Sequence, residues 1–186
     1  MSVRVRAAVF QDAAAIARVH VDTWRSTYRG IMDEEFLRSL SHEQRQRNWE
    51  AALQDSKTQS LFVAEDDQHE IVGFAACGPA REQKELFDGE LYAIYVIQKA
   101  QRKQIGKKLV LFVSRDLKTR GFNSMLVWVL AGNPFKKFYV SLGGEQIASK
   151  IVEVGGRNLE ELGFGWKSLD SLTELTGLEK EDSKPP

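Results

Sequence analysis

Residues 89–121 have the sequence GELYAIYVIQKAQRKQIGKKLVLFVSRDLKTRG, and the rest of the chain is expected to fold around them. Every position from 91 to 97 is apolar or aromatic, which is typical of an inner strand covered on both faces. From Ile105 the apolar residues recur at helical spacing, and Gly121 supplies a C-terminal stop. The stretch therefore predicts a strand, a loop and an amphipathic helix.

The cationic loop, residues 99–108, joins this strand to this helix and contains no acid. The N–H groups that open a helix are free to bind an anion, so a phosphate or pyrophosphate would suit the loop. Charge alone supports a solvated turn equally well. The pattern G-x-x-x-x-G-K-[ST] does not occur here, which disfavours a P-loop. The cations are Lys99, Arg102, Lys103, Lys107 and Lys108.

Within the cationic loop, residues 101–106 read QRKQIG and resemble the [QR]-x-x-G-x-[GA] signature of the GNAT superfamily of N-acetyltransferases. In that family the signature lies between the fourth strand and the third helix. Gln104 stands where the family usually has glycine, which lets the backbone approach the cofactor pyrophosphate or adopt a positive φ. Gly106 is retained, and the resemblance covers about residues 3–167.

The resemblance implies acetyl-CoA as cosubstrate and no metal. The family separates its fourth and fifth strands, so that unpaired backbone groups grip the pantetheine arm and one N–H faces the thioester oxygen. The residues expected to bind the cofactor are Ile94, Tyr95, Val96, Gln101, Arg102, Lys103, Gln104, Ile105, Gly106, Lys107 and Asn133.

Residues 133–144 predict a helix with Asn133 as N-cap, Pro134 at the first helical position and a stop at residues 143–144. By spacing alone Tyr139 is one more core residue of its apolar stripe. The family pattern N-x-x-x-x-F-Y-x-x-x-G-F parallels this segment, with Gly144 replacing the final aromatic residue. The resemblance implies that Asn133 contacts the cofactor and that Tyr139 protonates the departing thiolate.

Glu90 opens the central strand and is the candidate base. Regular alternation places it on one face with Tyr92, Ile94 and Val96, where aromatic bulk would raise the pKa of the carboxyl group. A solvated acid at a strand end is equally well supported. The resemblance implies a Glu near this point that accepts the amine proton directly or through water.

The first predicted helix carries Ile16, His20, Trp24 and Tyr28 every four residues, with Asp12 positioned to cap it. Spacing alone favours core packing for this stripe. In similar acetyltransferases the first two helices wall the acceptor site, which leaves core packing and substrate binding equally supported. The residues expected to bind the acceptor are Trp24, Tyr28 and Tyr92.

The remaining pattern predicts one mixed α/β domain over residues 1–167 and a partly disordered tail over residues 168–186. A second helical region is expected in two parts, the latter opening with a capping box from Ser41 to Gln44. The sheet is expected to be mixed, mostly antiparallel and of about seven strands, with a parallel strand-helix-strand crossover and helices on both faces. Besides 91–97, the predicted strands are residues 3–7, 61–64, 70–78, 125–130, 147–154 and 159–166.

Composition limits the partners. The chain has 26 basic and 26 acidic residues, so no global field attracts nucleic acid or an anionic membrane. Cys77 is the only cysteine, which excludes an intramolecular disulfide and a cysteine-based metal site. No apolar run approaches the ~20 residues that span a bilayer. We therefore expect a cytoplasmic protein without nucleic acid or membrane partners, and a homodimer is left open.

The predicted function is an N-acetyltransferase. It would move an acetyl group from acetyl-CoA to a primary amine of a small molecule or peptide, by direct attack in a ternary complex. The alternative is a non-catalytic acyl-CoA-binding or sensing protein that keeps the fold. Turnover with any amine would separate the two.

Overall fold

A seven-stranded sheet in the order β1-β2-β3-β4-β5-β7-β6 forms the centre of the molecule. The computed structural model describes residues 2–54 and 58–175. All neighbouring strands are antiparallel except β4 and β5, so the predicted mixed sheet is confirmed. The strands are β1 (Val3–Ala7), β2 (Ser60–Asp66), β3 (Ile71–Pro79), β4 (Gly89–Val96), β5 (Met125–Leu130), β6 (Glu145–Val154) and β7 (Arg157–Trp166).

Helices cover both faces of this sheet, as predicted. On the α4 face, Leu109, Val113 and Leu117 belong to the larger buried cluster. On the α1 face, Ile16 and Val19 pack with apolar residues of β2 and β3. The α-helices of the described residues are α1 (Ala13–Thr27), α2 (Glu34–Ser39), α3 (His42–Gln54), α4 (Ile105–Thr119), α5 (Lys137–Ser141) and α6 (Asp170–Leu175).

Strands β4 and β5 separate soon after they meet. Their parallel pairing consists of Gly89 with Met125 and Glu90 with Leu126. Beyond these pairs, β5 continues along β7 and β4 continues along β3. The backbone groups that β4 directs toward β5 therefore lack a strand partner from residue 91 onward. The side chain of Gln101 closes the far end of this gap, donating from Nε2 to the Val96 carbonyl at 3.0 Å.

A β-bulge in β4 changes which side chains share a face. Cys77 pairs with Leu91 and Ala76 with Ala93, so Tyr92 is an extra residue without an opposite partner. Alternation resumes beyond it, which places Glu90 on the α1 face and Ile94 on the α4 face. The prediction that Glu90 shares a face with Ile94 and Val96 is therefore wrong. It assumed strict alternation of side chains along the strand, and the bulge interrupts that alternation.

Two predicted helix caps differ from the structure. Asp12 precedes α1, but its carboxylate binds Arg6 at 2.6 Å and the Val9 N–H at 2.8 Å instead of the first turn of α1. Ser41 accepts the Gln44 N–H at 3.1 Å, as expected, whereas the Gln44 side chain donates to Asn48 instead of returning to the cap. Asp12 binds Arg6 in preference to the first N–H groups of α1, because a hydrogen bond between two charged groups is stronger than one to a neutral backbone group.

The segment after β5 begins with a turn instead of a helix. Asn133 Oδ1 accepts the Phe135 N–H at 2.8 Å, and α5 starts only at Lys137. The predicted N-cap at Asn133 with Pro134 as first helical residue is therefore wrong. In an Asx turn and in an N-cap the asparagine side chain accepts from a backbone N–H two or three residues later. The sequence therefore does not distinguish the two structures.

The fold continues past residue 167, where the predicted domain ended. Leu169 and Leu172 are buried in the larger cluster, and Lys118 of α4 forms an ion pair with Asp170. Leu169 and Leu172 of the predicted tail therefore belong to the core, whereas partial disorder of the tail stays a prediction, since residues 176–186 lie outside the described residues. No helix of the described residues is long and apolar enough to cross a membrane.

Candidate active site

A cavity of about 1030 Å³ lies where β4 and β5 separate and reaches both faces of the sheet. All but two of the predicted site residues line it, while Glu90 and Lys103 do not. Segments far apart in the sequence therefore meet at one place. The predicted residues in its wall are Trp24, Tyr28, Tyr92, Ile94, Tyr95, Val96, Gln101, Arg102, Gln104, Ile105, Gly106, Lys107, Asn133 and Tyr139.

The cationic loop turns into α4 through left-handed backbone. Arg102 has φ 60° and Gln104 has φ 61°, and Gln104 forms no side-chain cap on α4. For a residue other than glycine this conformation costs roughly 1–2 kcal/mol. Glycine adopts this conformation without the cost, so Gln104 bears strain at the position where the [QR]-x-x-G-x-[GA] signature has glycine. The first N–H groups of α4 have no intrahelical partner, and together with Arg102 and Lys107 they form a site suited to phosphate.

Gly106 has a packing role in the same turn. A Cβ atom at this position would lie 3.2 Å from the Phe138 ring. Phe138 in turn lies edge-on to Tyr139, with ring centroids 5.4 Å apart. Glycine thus lets the start of α4 approach α5 closely enough to fix the ring beside the candidate acid.

Tyr139 projects from α5 into the cavity. Its ring is buried and stacks on Phe164 at 5.8 Å, and the described residues offer no hydrogen bond to its hydroxyl group. Burial, followed by the neighbouring phenols of Tyr95 and Tyr28, raises the pKa of Tyr139. The hydroxyl group therefore stays protonated and can donate to an anion that forms in front of it. Packing and chemistry are compatible at this residue.

Hydrogen bonds join the aromatic residues of α1 to the cofactor side of the cavity. Trp24 Nε1 donates to the Tyr95 hydroxyl, and Asn133 Nδ2 donates to the Tyr28 hydroxyl, each at 2.9 Å. The rings of Trp24 and Tyr28 lie 5.0 Å apart. Burial raises the pKa of Tyr28 and of Tyr95, so both phenols remain neutral. Trp24 and Tyr28 consequently pack against neighbours and also line the cavity, and their binding of a substrate stays a prediction.

His20 also lines the cavity, although its spacing indicated a core position. Trp49 Nε1 donates to its Nδ1 at 3.2 Å, which places the ring proton on Nε2. Burial and then the charge of Arg45 lower the pKa of His20 to about 3. The ring stacks on Tyr95 at 4.7 Å. His20 is therefore a neutral hydrogen-bond donor in the cavity wall.

Glu90 lies in a second chamber of about 310 Å³ that adjoins the cavity through Arg81, Tyr92, Trp128 and Glu161. Its side chain is 1% exposed, and its oxygens accept from Arg81 Nη2 at 2.5 Å, Nε at 3.1 Å and the backbone N–H at 2.8 Å. The expected surroundings were aromatic, whereas the structure gives an ion pair. The arginine comes from the loop after β3, which carried no signal for this contact.

Sequence reasoning missed several polar residues in the cavity wall. Glu161 of β7 is the one acid that lines the larger cavity within the described part of the chain, and burial raises its pKa. Trp128 Nε1 and Thr23 Oγ1 are buried there without a hydrogen-bond partner in the described ranges. Nothing local marks these residues, because their meeting depends on the pairing of β5 with β7 and on the packing of α1.

The described residues contain no group of three or more His, Cys, Asp or Glu side chains that could hold a metal ion. Cys77 is buried in β3, and burial followed by the charge of Asp116 raises the pKa of its thiol to about 12. A thiol of that pKa is a poor nucleophile at neutral pH.

The separated parallel strands, the anion-binding helix start and the phenol between them are features of an acyltransferase that uses coenzyme A. The model of the Acetyltransferase (GNAT) family matches residues 18–143. The chain belongs to this family and is an N-acetyltransferase.

Known relatives agree with this assignment. The chain is 39% identical over 173 residues to the "Uncharacterized N-acetyltransferase YuaI" of Bacillus subtilis (strain 168), covering 93% of this chain and 98% of that protein. It is 26% identical over 133 residues to the "Spermidine N(1)-acetyltransferase" of Thermoplasma acidophilum, covering 69% and 79%. The crystal structure of PaiA N-acetyltransferase from Thermoplasma acidophilum in complex with coenzyme A shares the fold, with TM-score 0.68, 21% identity and 87% and 98% coverage.

Proposed function

We propose that this N-acetyltransferase transfers the acetyl group of acetyl-CoA directly to a primary amine of a small molecule or peptide while both substrates are bound. One observation carries the proposal. A single cavity extends from the cationic loop, past the unpaired edge of β4, to the aromatic side chains of α1. A thioester and an amine can therefore lie in one space, approaching the sheet from its two faces.

The cofactor half of this cavity, formed by β4 residues 94–96 and residues 101–107, suits acetyl-CoA. The α4 N-terminus, Arg102 and Lys107 provide N–H donors and positive charge for the pyrophosphate. The unpaired edge of β4 offers peptide groups of the kind that a pantetheine arm can pair with. The solved PaiA structure, which contains coenzyme A, supports this choice of cosubstrate.

Two groups of the chain act on the reacting atoms in this proposal. A free N–H on the β4 edge polarises the thioester carbonyl and stabilises the oxyanion that forms on attack. As the new C–N bond forms and the C–S bond breaks, Tyr139 donates its hydroxyl proton to the sulfur. The amine nitrogen loses one proton to a base, and that proton replaces the one that Tyr139 gave up, so the products are a neutral amide, a thiol and the original hydroxyl group. The raised pKa of Tyr139 keeps that proton in place until the thiolate appears.

The remaining step is removal of the amine proton. Glu90 can accept it, directly or through water, at Oε2, which takes one bond from the Arg81 backbone N–H, whereas Oε1 takes both guanidinium bonds. The ion pair holds the carboxylate in the wall of the chamber next to the cavity.

Turnover with a panel of amines tests the proposal. The panel contains polyamines, because a relative is named for spermidine, together with amino acids, aminoglycosides and N-terminal peptides. Thiol release from acetyl-CoA is followed with and without each amine. For the best amine, initial rates at varied concentrations of both substrates should give intersecting double-reciprocal lines. Parallel lines would contradict the ternary complex, and tight coenzyme A binding without turnover of any amine would support the non-catalytic alternative.

A further inference from the structure

The wall formed by β5, β6 and β7 already binds an ammonium group. Lys150 Nζ lies 4.1 Å from the centroid of the Trp128 ring, which lines the cavity. The same nitrogen donates to Glu82 at 2.7 Å and lies 3.6 Å from Glu161. An aromatic face with carboxylates beside it is the usual arrangement for holding an organic cation. One of the protein's own side chains thus shows which ligand chemistry this wall accepts.

Glu161 is the part of this wall that faces the main cavity. Its side chain is 23% exposed, and its contact with Lys150 is longer than the one that Lys150 makes with Glu82. Its negative charge also contributes to the raised pKa of Tyr28 and Tyr95, on the far side of the cavity. The carboxylate is therefore only partly neutralised, and its field extends across the space where the acceptor is proposed to bind.

Among the described cations that line the cavity, Arg81 is the one whose charge acts on Glu161, in addition to the contact from Lys150. Arg81 is bound by Glu90, and its guanidinium rests on the Tyr92 ring at 4.4 Å. Arg45 lies beside His20, whose pKa it lowers, and the remaining cations belong to the cofactor half. A positively charged acceptor therefore has one carboxylate to approach.

Thr23 gives an independent sign that this half of the cavity receives a polar ligand. The residue is 6% exposed and lines the cavity, and its hydroxyl oxygen is without a hydrogen-bond partner among the described residues. A buried hydroxyl group left unpaired costs roughly 1–3 kcal/mol. Its oxygen has lone pairs that can accept from the N–H groups of an amine.

We propose that Glu161 and the Trp128 ring bind a second positive charge on the acceptor, so that the preferred acceptors are diamines and longer polyamines. The inference rests on the proposed function, because that function assigns this half of the cavity to the acceptor. Lys150 occupies the cation site when no acceptor is bound and competes with the ammonium group of the acceptor. Glu161 is a specificity residue in this scheme and takes no part in the proton transfers.

Three amines of one chain length test the charge requirement: cadaverine, pentylamine and δ-aminovalerate. Their distal groups are an ammonium, a methyl and a carboxylate, respectively. With saturating acetyl-CoA, kcat/KM should be highest for cadaverine, about tenfold above pentylamine, and lowest for δ-aminovalerate. Equal values for cadaverine and pentylamine, or a preference for δ-aminovalerate, would overturn the inference.

Variants of neighbouring residues locate the site. Glu161→Gln should raise KM for cadaverine about 10- to 100-fold and leave kcat and the constants for pentylamine nearly unchanged. Glu160→Gln removes the same charge from an exposed position one residue away on β7 and should change neither substrate. Lys150→Met should lower KM for cadaverine about threefold or more, since the competing ammonium group is gone. An equal loss of kcat for both amines in Glu161→Gln would instead assign Glu161 to proton transfer or folding.

Binding without turnover separates this inference from the proposed function. Calorimetry with the protein saturated with coenzyme A should detect cadaverine binding that Glu161→Gln weakens and Glu160→Gln preserves. If cadaverine binds in this way but no amine is acetylated, the proposed function fails and the cation site stands. If pentylamine is acetylated as well as cadaverine and neither variant matters, the function stands and the cation site is refuted.

Discussion

The two halves of the cavity are built in different ways. The cofactor half comes from a short stretch, residues 94–107, and presents mainly backbone groups and two cations. The acceptor half, formed by α1, α3, β5 and β7, presents side chains from segments as distant as Trp24 and Glu161. Backbone groups are common to every sequence with this fold, whereas side chains differ. We therefore expect the first half to bind the cosubstrate that the family shares and the second half to decide which acceptor this chain takes.

The largest expected effect lies where the two halves meet. Tyr139→Phe removes the hydroxyl proton and keeps the ring that packs on Phe164 and Phe138. We expect kcat on any accepted amine to fall about 10²- to 10⁴-fold, with little change in coenzyme A affinity or melting temperature. Steady-state kinetics and thermal unfolding measure both quantities.

Tyr92→Phe is a matched control, since it removes another cavity hydroxyl group, one that donates to the Pro79 carbonyl at 2.6 Å. Its effect on kcat should be less than tenfold. Rates of Tyr139→Phe within twofold of wild type would return Tyr139 to a packing role. Tyr139 would then line both halves of the cavity without donating a proton in the reaction.

A second prediction tests whether the halves can be weakened separately. Arg102→Ala combined with Lys107→Ala should reduce coenzyme A affinity about 10- to 100-fold, because charge-assisted contacts to the pyrophosphate are lost. Added salt should reduce the wild-type affinity and have less effect on the variant. The KM of the amine at saturating acetyl-CoA should not change.

The matched control combines Lys84→Ala with Lys167→Ala, which removes two exposed cations that do not line the cavity. Calorimetric titration with coenzyme A compares the two double variants. Equal affinity in both would show that the cationic loop is only a solvated turn, and the proposed division between the halves would lose its cofactor side.

In the acceptor half, the buried His20 ring should make the free energy of unfolding depend on pH. His20 has a pKa of about 3 when folded, against an ordinary value of 6.5, so the unfolded chain binds its proton first. The stabilisation is fully present above pH 6.5 and is lost as the pH falls toward the folded pKa. Between pH 7.5 and 5 the loss should be on the order of 2 kcal/mol.

Denaturant unfolding at a series of pH values measures this loss. His20→Asn should lower the free energy of unfolding at neutral pH but flatten its dependence on pH in the same window. The carboxyl groups with lowered pKa, such as those of Asp12 and Asp88, act at more acidic pH. Parallel pH curves for wild type and variant would indicate that His20 is not buried as a neutral ring.

The smallest expected effect concerns Gln104. Gln104→Gly relieves the left-handed backbone but adds freedom to the unfolded chain, so stability should rise by no more than about 1 kcal/mol. Coenzyme A affinity should stay equal or improve. Gln104→Ala is the control, because it removes the side chain and keeps the backbone strain. A tenfold loss of affinity in both variants would identify the Gln104 side chain as a contact.

Sequence predicted what is local and periodic. The strand-loop-helix of residues 89–121, the mixed sheet and the family are confirmed. The residues of the cofactor half meet in the cavity because one turn places them there, although their roles stay predictions. Glu161 and Trp128 were missed because the pairing of β5 with β7 brings them to the site, and the local sequence does not show which strands will pair. The predicted helix start at Asn133 failed because an Asx turn and an N-cap use the same side-chain oxygen.

The bulge at Tyr92 decides which face of the sheet each side chain of β4 lies on. A substitution at Tyr92 alters one side chain, whereas deletion of that residue would move residues 89–91 of β4 to the opposite faces of the sheet. Leu91 would leave the core and Glu90 would enter it without Arg81, which amounts to burying an unpaired charge. We expect the deletion variant to be insoluble and Tyr92→Ala to remain folded, as expression and circular dichroism would show. The presence of a residue at position 92, more than its side chain, therefore sets which faces Leu91 and Glu90 occupy.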